Sequence, residues 1–209
     1  MEEKMKTLSK AIVAALVFGG SISAASAAGV ITNVTASGPG LGSFNEGVIG
    51  TDRTLDFTKV FDSVNPISLT FTVAHADTGP ANPYAVTEAV TNNTGVNWTD
   101  FHFNVTEPTQ GGQGDVFTDF SHSTLGGFTL DPANASGPRN LNFTGALATG
   151  GTTNASFTLS PFDPGSGNTS TFTISQVPTI PEPETYAMLL AGLVLMGAIA
   201  KRRNDKLQD

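Results

Sequence analysis

The chain contains no cysteine, and basic residues are almost absent from its central part. Without cysteine there is no disulfide, no thiol nucleophile and no thiolate metal site. Between residues 28 and 179 there are three basic residues, Arg53, Lys59 and Arg139, against twelve acidic ones, so this segment has a net charge of −9. A surface of that sign argues against nucleic acid and anionic lipid as partners and suits a hydrated extracellular matrix.

Patterns that carry catalysis or hold metals are also scarce. The chain has three histidines, and no Gly-x-Ser-x-Gly motif or alternating aspartate calcium loop occurs. Ser121 and His122 are adjacent, and adjacent residues of a strand point to opposite faces, so they do not form a nucleophile and its base. Asp115 and Asp119 flank Phe117 and are interpreted as a solvated acidic strand edge, with Ca²⁺ binding as the alternative. We therefore predict a protein that is not an enzyme and has no cofactor and no metal.

We assign residues 1–27 to a secretory signal peptide. Basic residues come first, an apolar run follows and small residues come last. Ala25 and Ala27 form the small-x-small pattern that signal peptidase recognises, so cleavage is expected after Ala27 or Ala28. Glu2 and Glu3 are unusual in the basic first part of a signal peptide, so Met5 is an alternative to Met1 as the true start. The remaining segment up to residue 179 has the length of one domain, long enough to build its own core.

This segment, residues 28–179, is predicted to be all-β. From Ile67 to Val73 apolar and polar residues alternate strictly, which is typical of a half-buried strand. Clusters of Gly, Pro, Asn and Asp separate the segments that alternate. We expect an antiparallel β-sandwich, either immunoglobulin-like or a jelly roll, with linkers at Thr35–Ser43 and Val177–Glu184. The predicted strands are centred on residues 55–57, 67–73, 101–106, 117–119, 128–130, 141–144, 157–159 and 172–174.

The only tryptophan, Trp98, lies between a turn and a strand. An exposed indole there can stack on a sugar ring while Asp100 binds hydroxyl groups, so Trp98 and Asp100 are candidate ligand contacts. The favoured interpretation is that Trp98 closes one end of the core together with Val96 and Phe101, since tryptophan is usually largely buried.

The C-terminal end has three parts in sequence. Pro181, Glu182 and Pro183 come first, and fifteen uncharged residues, 186–200, follow. As a helix the uncharged run would rise about 22 Å at roughly 1.5 Å per residue. A bilayer core is about 30 Å thick, so residues 186–200 are expected to form a short transmembrane helix that suits a transient anchor.

A basic cluster then ends the apolar run. Lys201, Arg202 and Arg203 predict a cytoplasmic C-terminus, with residues 204–209 as a cytoplasmic tail. The body is then expected on the other side of the inner membrane.

The whole segment, residues 180–203, resembles the PEP-CTERM sorting signal of Gram-negative bacteria. Pro181, Glu182 and Pro183 match its Pro-Glu-Pro motif, and a Leu- and Gly-rich helix and an Arg-rich end follow as in that signal. The resemblance implies recognition by an exosortase, a multi-pass membrane enzyme that cleaves near the motif and releases or transfers the protein at the surface.

These features together predict an exported surface or extracellular-matrix protein with a structural or adhesive role. Its expected partners are signal peptidase, an exosortase-like enzyme, the inner membrane transiently, and extracellular polysaccharide. The alternative is a secreted carbohydrate-binding or carbohydrate-active protein with the same tail. A pair of carboxylates about 5–10 Å apart in a cleft would favour that alternative.

Overall fold

A computed structural model describes residues 28–49, 52–76, 83–107, 115–131, 139–180 and 187–196. Within these ranges the body consists of β-strands, with one short 3₁₀ turn at Phe120–His122. The strands are β1 (Ala28–Ser37), β2 (Leu41–Ile49), β3 (Thr54–Phe61), β4 (Ile67–Ala76), β5 (Tyr84–Asn92), β6 (Trp98–Val105), β7 (Val116–Thr118), β8 (Thr124–Leu125), β9 (Phe128–Leu130), β10 (Asn140–Leu147), β11 (Thr152–Ser160) and β12 (Thr169–Thr179).

The strands form two sheets. Sheet 1 has the order β1-β4-β12-β6-β10-β9, and sheet 2 has the order β2-β3-β5-β11-β7, with β8 also paired to β11. The prediction of an all-β fold is confirmed, and the two sheets fit the predicted sandwich. From β4 onwards most connections cross from one sheet to the other, whereas an immunoglobulin domain keeps several hairpins within a sheet. Of the two types left open by the sequence, the strand order matches the jelly roll.

One strand pair departs from the antiparallel prediction. β3 and β5 run parallel, with Phe57 beside Glu88 and Lys59 beside Val90. Parallel neighbours need a crossover rather than a tight hairpin. β4 supplies that crossover, since the chain leaves β3, crosses sheet 1 as β4 and returns to sheet 2 as β5. The other strand pairs among the described residues are antiparallel.

The predicted linker at Thr35–Ser43 is wrong. The segment holds the end of β1, a tight turn and the start of β2, and this turn carries the chain from sheet 1 to sheet 2. Gly38 has a φ of 118°, and a Cβ there would lie 2.5 Å from the carbonyl oxygen of Pro66. The glycine allows the turn to pack closely against the loop before β4, so its presence reflects a packed turn rather than a flexible connection.

The predicted linker at Val177–Glu184 is wrong in its first part. β12 continues to Thr179, which pairs with Asp100 of β6. Pro178 is tolerated because β4 pairs with β12 only as far as Gln176, so no ladder bond on that side needs its missing N–H. The last strand of the body therefore ends just before the Pro-Glu-Pro sequence.

Aromatic side chains fill the space between the sheets. Phe57 and Phe71 belong to different sheets and meet edge to face at 6.2 Å between ring centroids. Phe71 then stacks on Phe172 of β12 at 4.8 Å. A second contact across the sheets joins Phe103 and Phe157 at 5.3 Å. The cysteine-free body is thus held by a continuous apolar core.

Candidate functional site: the C-terminal segment and the body that carries it

The C-terminal segment begins at the edge of the packed body. Thr179 is the last residue of β12, and Ile180 is partly buried against the hydrophobic core. Helix α1, residues 187–196, follows after residues 181–186, which lie outside the described ranges. The folded body therefore extends to within one residue of Pro181.

Helix α1 is apolar around its whole circumference. Its large side chains, Met188, Leu189, Leu190, Leu193, Val194, Leu195 and Met196, are each between 56% and 75% exposed. Residues at these positions cover every face of a helix with about 3.6 residues per turn. A helix of this composition is normally buried in a core or in a membrane. Each of these side chains is more than half exposed, so the surface of α1 is available to an apolar environment.

Helix α1 has ten described residues, 187–196. Among the residues that the structure describes, no helix has both the length and the hydropathy needed to span a bilayer. The predicted transmembrane helix at 186–200 extends beyond α1 at both ends, and those ends lie outside the described ranges. The span therefore stays a prediction, as does the N-terminal signal helix at 1–27.

Most of the predicted sorting and processing residues also lie outside the described ranges. They are the sorting motif Pro181, Glu182 and Pro183, the basic cluster Lys201, Arg202 and Arg203, and the signal peptidase site Ala25 and Ala27.

Trp98 is completely buried at the start of β6. Its ring meets Phe61 edge to face at 5.2 Å and lies 5.5 Å from Phe101. Its indole Nε1 donates a hydrogen bond of 3.1 Å to Thr94 Oγ1. Val96, expected in the same cluster, is instead 41% exposed. Because stacking on a sugar needs an exposed ring face, this geometry favours the core interpretation of Trp98.

A short turn fixes the indole in place. Asn92 is buried, and its Nδ2 donates to the carbonyl oxygens of Val96 and Leu147 at 2.9 and 3.1 Å. Asn92 Oδ1 accepts a hydrogen bond of 2.7 Å from Thr94 Oγ1, the atom to which Trp98 donates. Asp100, the other candidate ligand contact, is only partly exposed and lies in the β6 ladder. With Trp98 enclosed, the two side chains do not form a shared exposed site.

The polar groups near β7 do not form a catalytic relay. His122 Nδ1 contacts Asp119 Oδ1 at 2.7 Å, and Ser121 Oγ approaches the same ring nitrogen at 3.3 Å. A Ser-His-Asp triad uses the two ring nitrogens separately, one for the serine and one for the aspartate.

Asp115 does not lie on a solvated acidic edge as predicted. Its side chain is fully buried and accepts a 2.8 Å hydrogen bond from the Phe162 N–H. It therefore lies in a different environment from the exposed Asp119. Considering only the described residues, no three His, Asp or Glu side chains come together as a metal site.

Sequence reasoning missed one polar cluster, which lies inside the core. Lys59 of β3, Glu88 of β5 and Gln176 of β12 are each at most 1% exposed. Lys59 Nζ donates to Glu88 Oε2 and to Gln176 Oε1. Gln176 Nε2 donates to Glu88 Oε1 at 2.9 Å. The cluster joins sheet 1 to sheet 2 and satisfies its polar groups internally, as buried polar groups require.

Burial changes the protonation behaviour of this cluster. Desolvation lowers the pKa of the Lys59 ammonium, and the adjacent Glu88 carboxylate offsets part of that effect by favouring the charged form.

A signal for the cluster was present in the sequence. Lys59 follows Leu55 and Phe57 on an inward-facing alternation, and Glu88 follows Val86 in the same way. An inward-facing charge on a strand indicates a buried partner.

The comparison with family models identifies the C-terminal segment. Residues 179–203 match the PEP-CTERM protein-sorting motif. Neither the comparison with curated proteins nor that with solved structures found a match for the chain. The match begins at the last residue of β12 and ends at the last residue of the basic cluster.

The fold and its tail define an all-β protein with a C-terminal surface-sorting segment. More specifically, the chain carries a PEP-CTERM sorting motif, which confirms the resemblance noted in its sequence. Such a motif implies export and processing by an exosortase-type membrane enzyme before the protein reaches the cell surface.

Proposed function

We propose that the chain is an exported structural or adhesive protein without enzymatic activity. Its apolar C-terminal helix holds it briefly at the inner membrane, and an exosortase-like enzyme then delivers the body to the cell surface or extracellular matrix. The sorting motif at 179–203 is the observation that carries this proposal.

A further observation supports it. Helix α1 is exposed on all faces and needs an apolar environment such as a membrane.

The acidic body suits a hydrated matrix of extracellular polysaccharide. Its three basic residues include Lys59, which is buried, so very little positive charge remains on the surface. Carbohydrate binding through Trp98, the alternative drawn from the sequence, has no support in the geometry because the ring is enclosed. We therefore do not propose a sugar platform at that position.

Changing Pro181, Glu182 and Pro183 together to alanine is expected to leave uncleaved precursor in the inner membrane. The motif is removed, but the apolar helix that anchors the chain remains. Fractionation followed by mass analysis of the C-terminus measures the result. As a matched control, Asp205, Lys206 and Leu207 lie beyond residue 203, and changing them to alanine is expected to leave processing unaltered. If the triple alanine variant still reached the surface with its C-terminus removed, the sorting assignment would be contradicted.

Two reporters are fused in turn after Asp209, one that is active only in the cytoplasm and one that is active only in the periplasm. We expect activity from the cytoplasmic reporter alone. The basic cluster before it favours the cytoplasmic side of the membrane. A chain that ends at Ile180 and carries the same pair of reporters provides the control. Lacking the tail, it should show only periplasmic activity. Periplasmic activity of the full-length fusion would reverse the proposed topology.

A further inference from the structure

The buried cluster of Lys59, Glu88 and Gln176 places a nucleophile, a proton acceptor and an electrophile in mutual contact. The Lys59 amine contacts both the Gln176 carboxamide and the Glu88 carboxylate. The second oxygen of Glu88 accepts a 2.9 Å hydrogen bond from the carboxamide nitrogen of Gln176. One carboxylate therefore bridges the attacking nitrogen and the nitrogen that would leave.

We propose that Lys59 and Gln176 become joined by an intramolecular isopeptide bond, with Glu88 transferring the proton. This cross-link would tie β3 of sheet 2 to β12 of sheet 1.

The reaction is balanced without any added reagent. Glu88 takes a proton from the Lys59 ammonium, and the free amine attacks Cδ of Gln176. A bond forms between Lys59 Nζ and Gln176 Cδ, and the bond between Cδ and Nε2 breaks. Glu88 returns its proton to the departing nitrogen, which also takes the second proton from Nζ and leaves as an ammonium ion, so that Glu88 is a carboxylate again. No group is oxidised or reduced.

The surroundings favour this chemistry. All three side chains are at most 1% exposed, and Lys59 Nζ lies 5.8 Å from the centroid of the Phe103 ring. Desolvation lowers the pKa of Lys59 and so favours the neutral, nucleophilic amine. The fold holds amine and carboxamide together, which replaces an encounter in solution by a contact already made. Exclusion of water also protects the carbonyl carbon from hydrolysis.

The position of the link has a structural consequence. Lys59 and Gln176 are 117 residues apart in the chain, so the bond would close most of the body into one covalent loop. β12 ends at Thr179, and any load on the C-terminal segment enters the body through this strand. A bond at Gln176 would transmit that load directly to sheet 2. In a chain without cysteine it would act where other exported domains use disulfides.

Mass spectrometry of the full-length chain, purified from the cells that make it and then denatured, tests the proposal. The recovered chain is either precursor or processed protein, so its measured mass is compared with the mass calculated from the sequence of that form. We expect the measured mass to be lower by the mass of one ammonia molecule. Trypsin should not cleave after Lys59, so the peptide 54–59 should be missing and the peptide 54–139 should be attached to the peptide that begins at Asn140. An unmodified mass with free peptide 54–59 would overturn the proposal. Loss of water with a link from Lys59 to Glu88 would overturn the assignment of Gln176.

Variants separate the proposed roles. Gln176→Met removes the electrophile, and Glu88→Gln removes the proton acceptor, so both are expected to release the peptide 54–59. Glu107→Gln is the matched control, because it removes the same charge from an exposed residue and should leave the link intact. A fully linked Glu88→Gln variant would contradict the role of Glu88. If a variant fails to fold, the mass of the unaltered chain still decides whether the bond exists.

Discussion

Replacing Trp98 by alanine is expected to lower the free energy of unfolding by about 3–5 kcal/mol, as large aromatic truncations in protein cores do. The ring is completely enclosed and contacts Phe61 and Phe101, so its removal leaves a cavity in the core. In a body of about 150 residues this corresponds to a fall in Tm on the order of 10 °C. Denaturant unfolding of the two chains measures the difference.

Two further measurements make this prediction specific. Trp98 is the only tryptophan, so fluorescence reports its surroundings alone and should be blue-shifted and unaffected by added polysaccharide. Val96→Ala is the matched control, since Val96 is two residues away but exposed, and its stability should change little. Red-shifted emission that acrylamide quenches readily, with unchanged stability, would contradict the core assignment and favour a sugar-binding ring.

The sequence predicted strands best where large apolar residues alternate strictly with polar ones. β4, β6 and β11 have this pattern, and each strand is present. β1 and β2 were not predicted, because register shifts interrupt the alternation in both strands and the glycine turn between them suggested a linker. Strand propensity depends on such context more than helix propensity does. The alternating pattern also gives no information on pairing, so neither the parallel contact of β3 with β5 nor the strand order could be derived from it.

One part of the candidate site could be predicted from the sequence and another part could not. The sorting segment was predictable because a motif, an apolar run and a basic end occur consecutively along the chain. The buried cluster was not predicted because its members come from β3, β5 and β12 and meet only after the sheets pack. Each member shows in the sequence as one polar residue in an inward-facing alternation. That local irregularity indicates that a partner exists without indicating which residue it is.

The Glu88 carboxylate should have a large effect on stability when it is buried with no cation beside it. Lys59→Met leaves Glu88 in that state, and an uncompensated buried charge of this kind typically costs about 3–5 kcal/mol. Replacing both residues, Lys59→Met with Glu88→Met, removes both charges and keeps similar volumes, so the double variant is expected to be more stable than the single one by several kcal/mol.

The comparison between these two variants isolates the charge effect. Both lack the Lys59 amine, so any covalent link to Gln176 is absent from both, and the difference in their unfolding free energies reports the uncompensated carboxylate. Urea unfolding followed by Trp98 fluorescence measures it, because Trp98 lies in the same hydrophobic core. As a control, Asp56→Met removes an exposed acidic residue from the same strand, and its effect should be small. Equal stabilities of the single and double variants would show that the core accommodates Glu88 without Lys59, and would remove the basis for treating the two as a coupled pair.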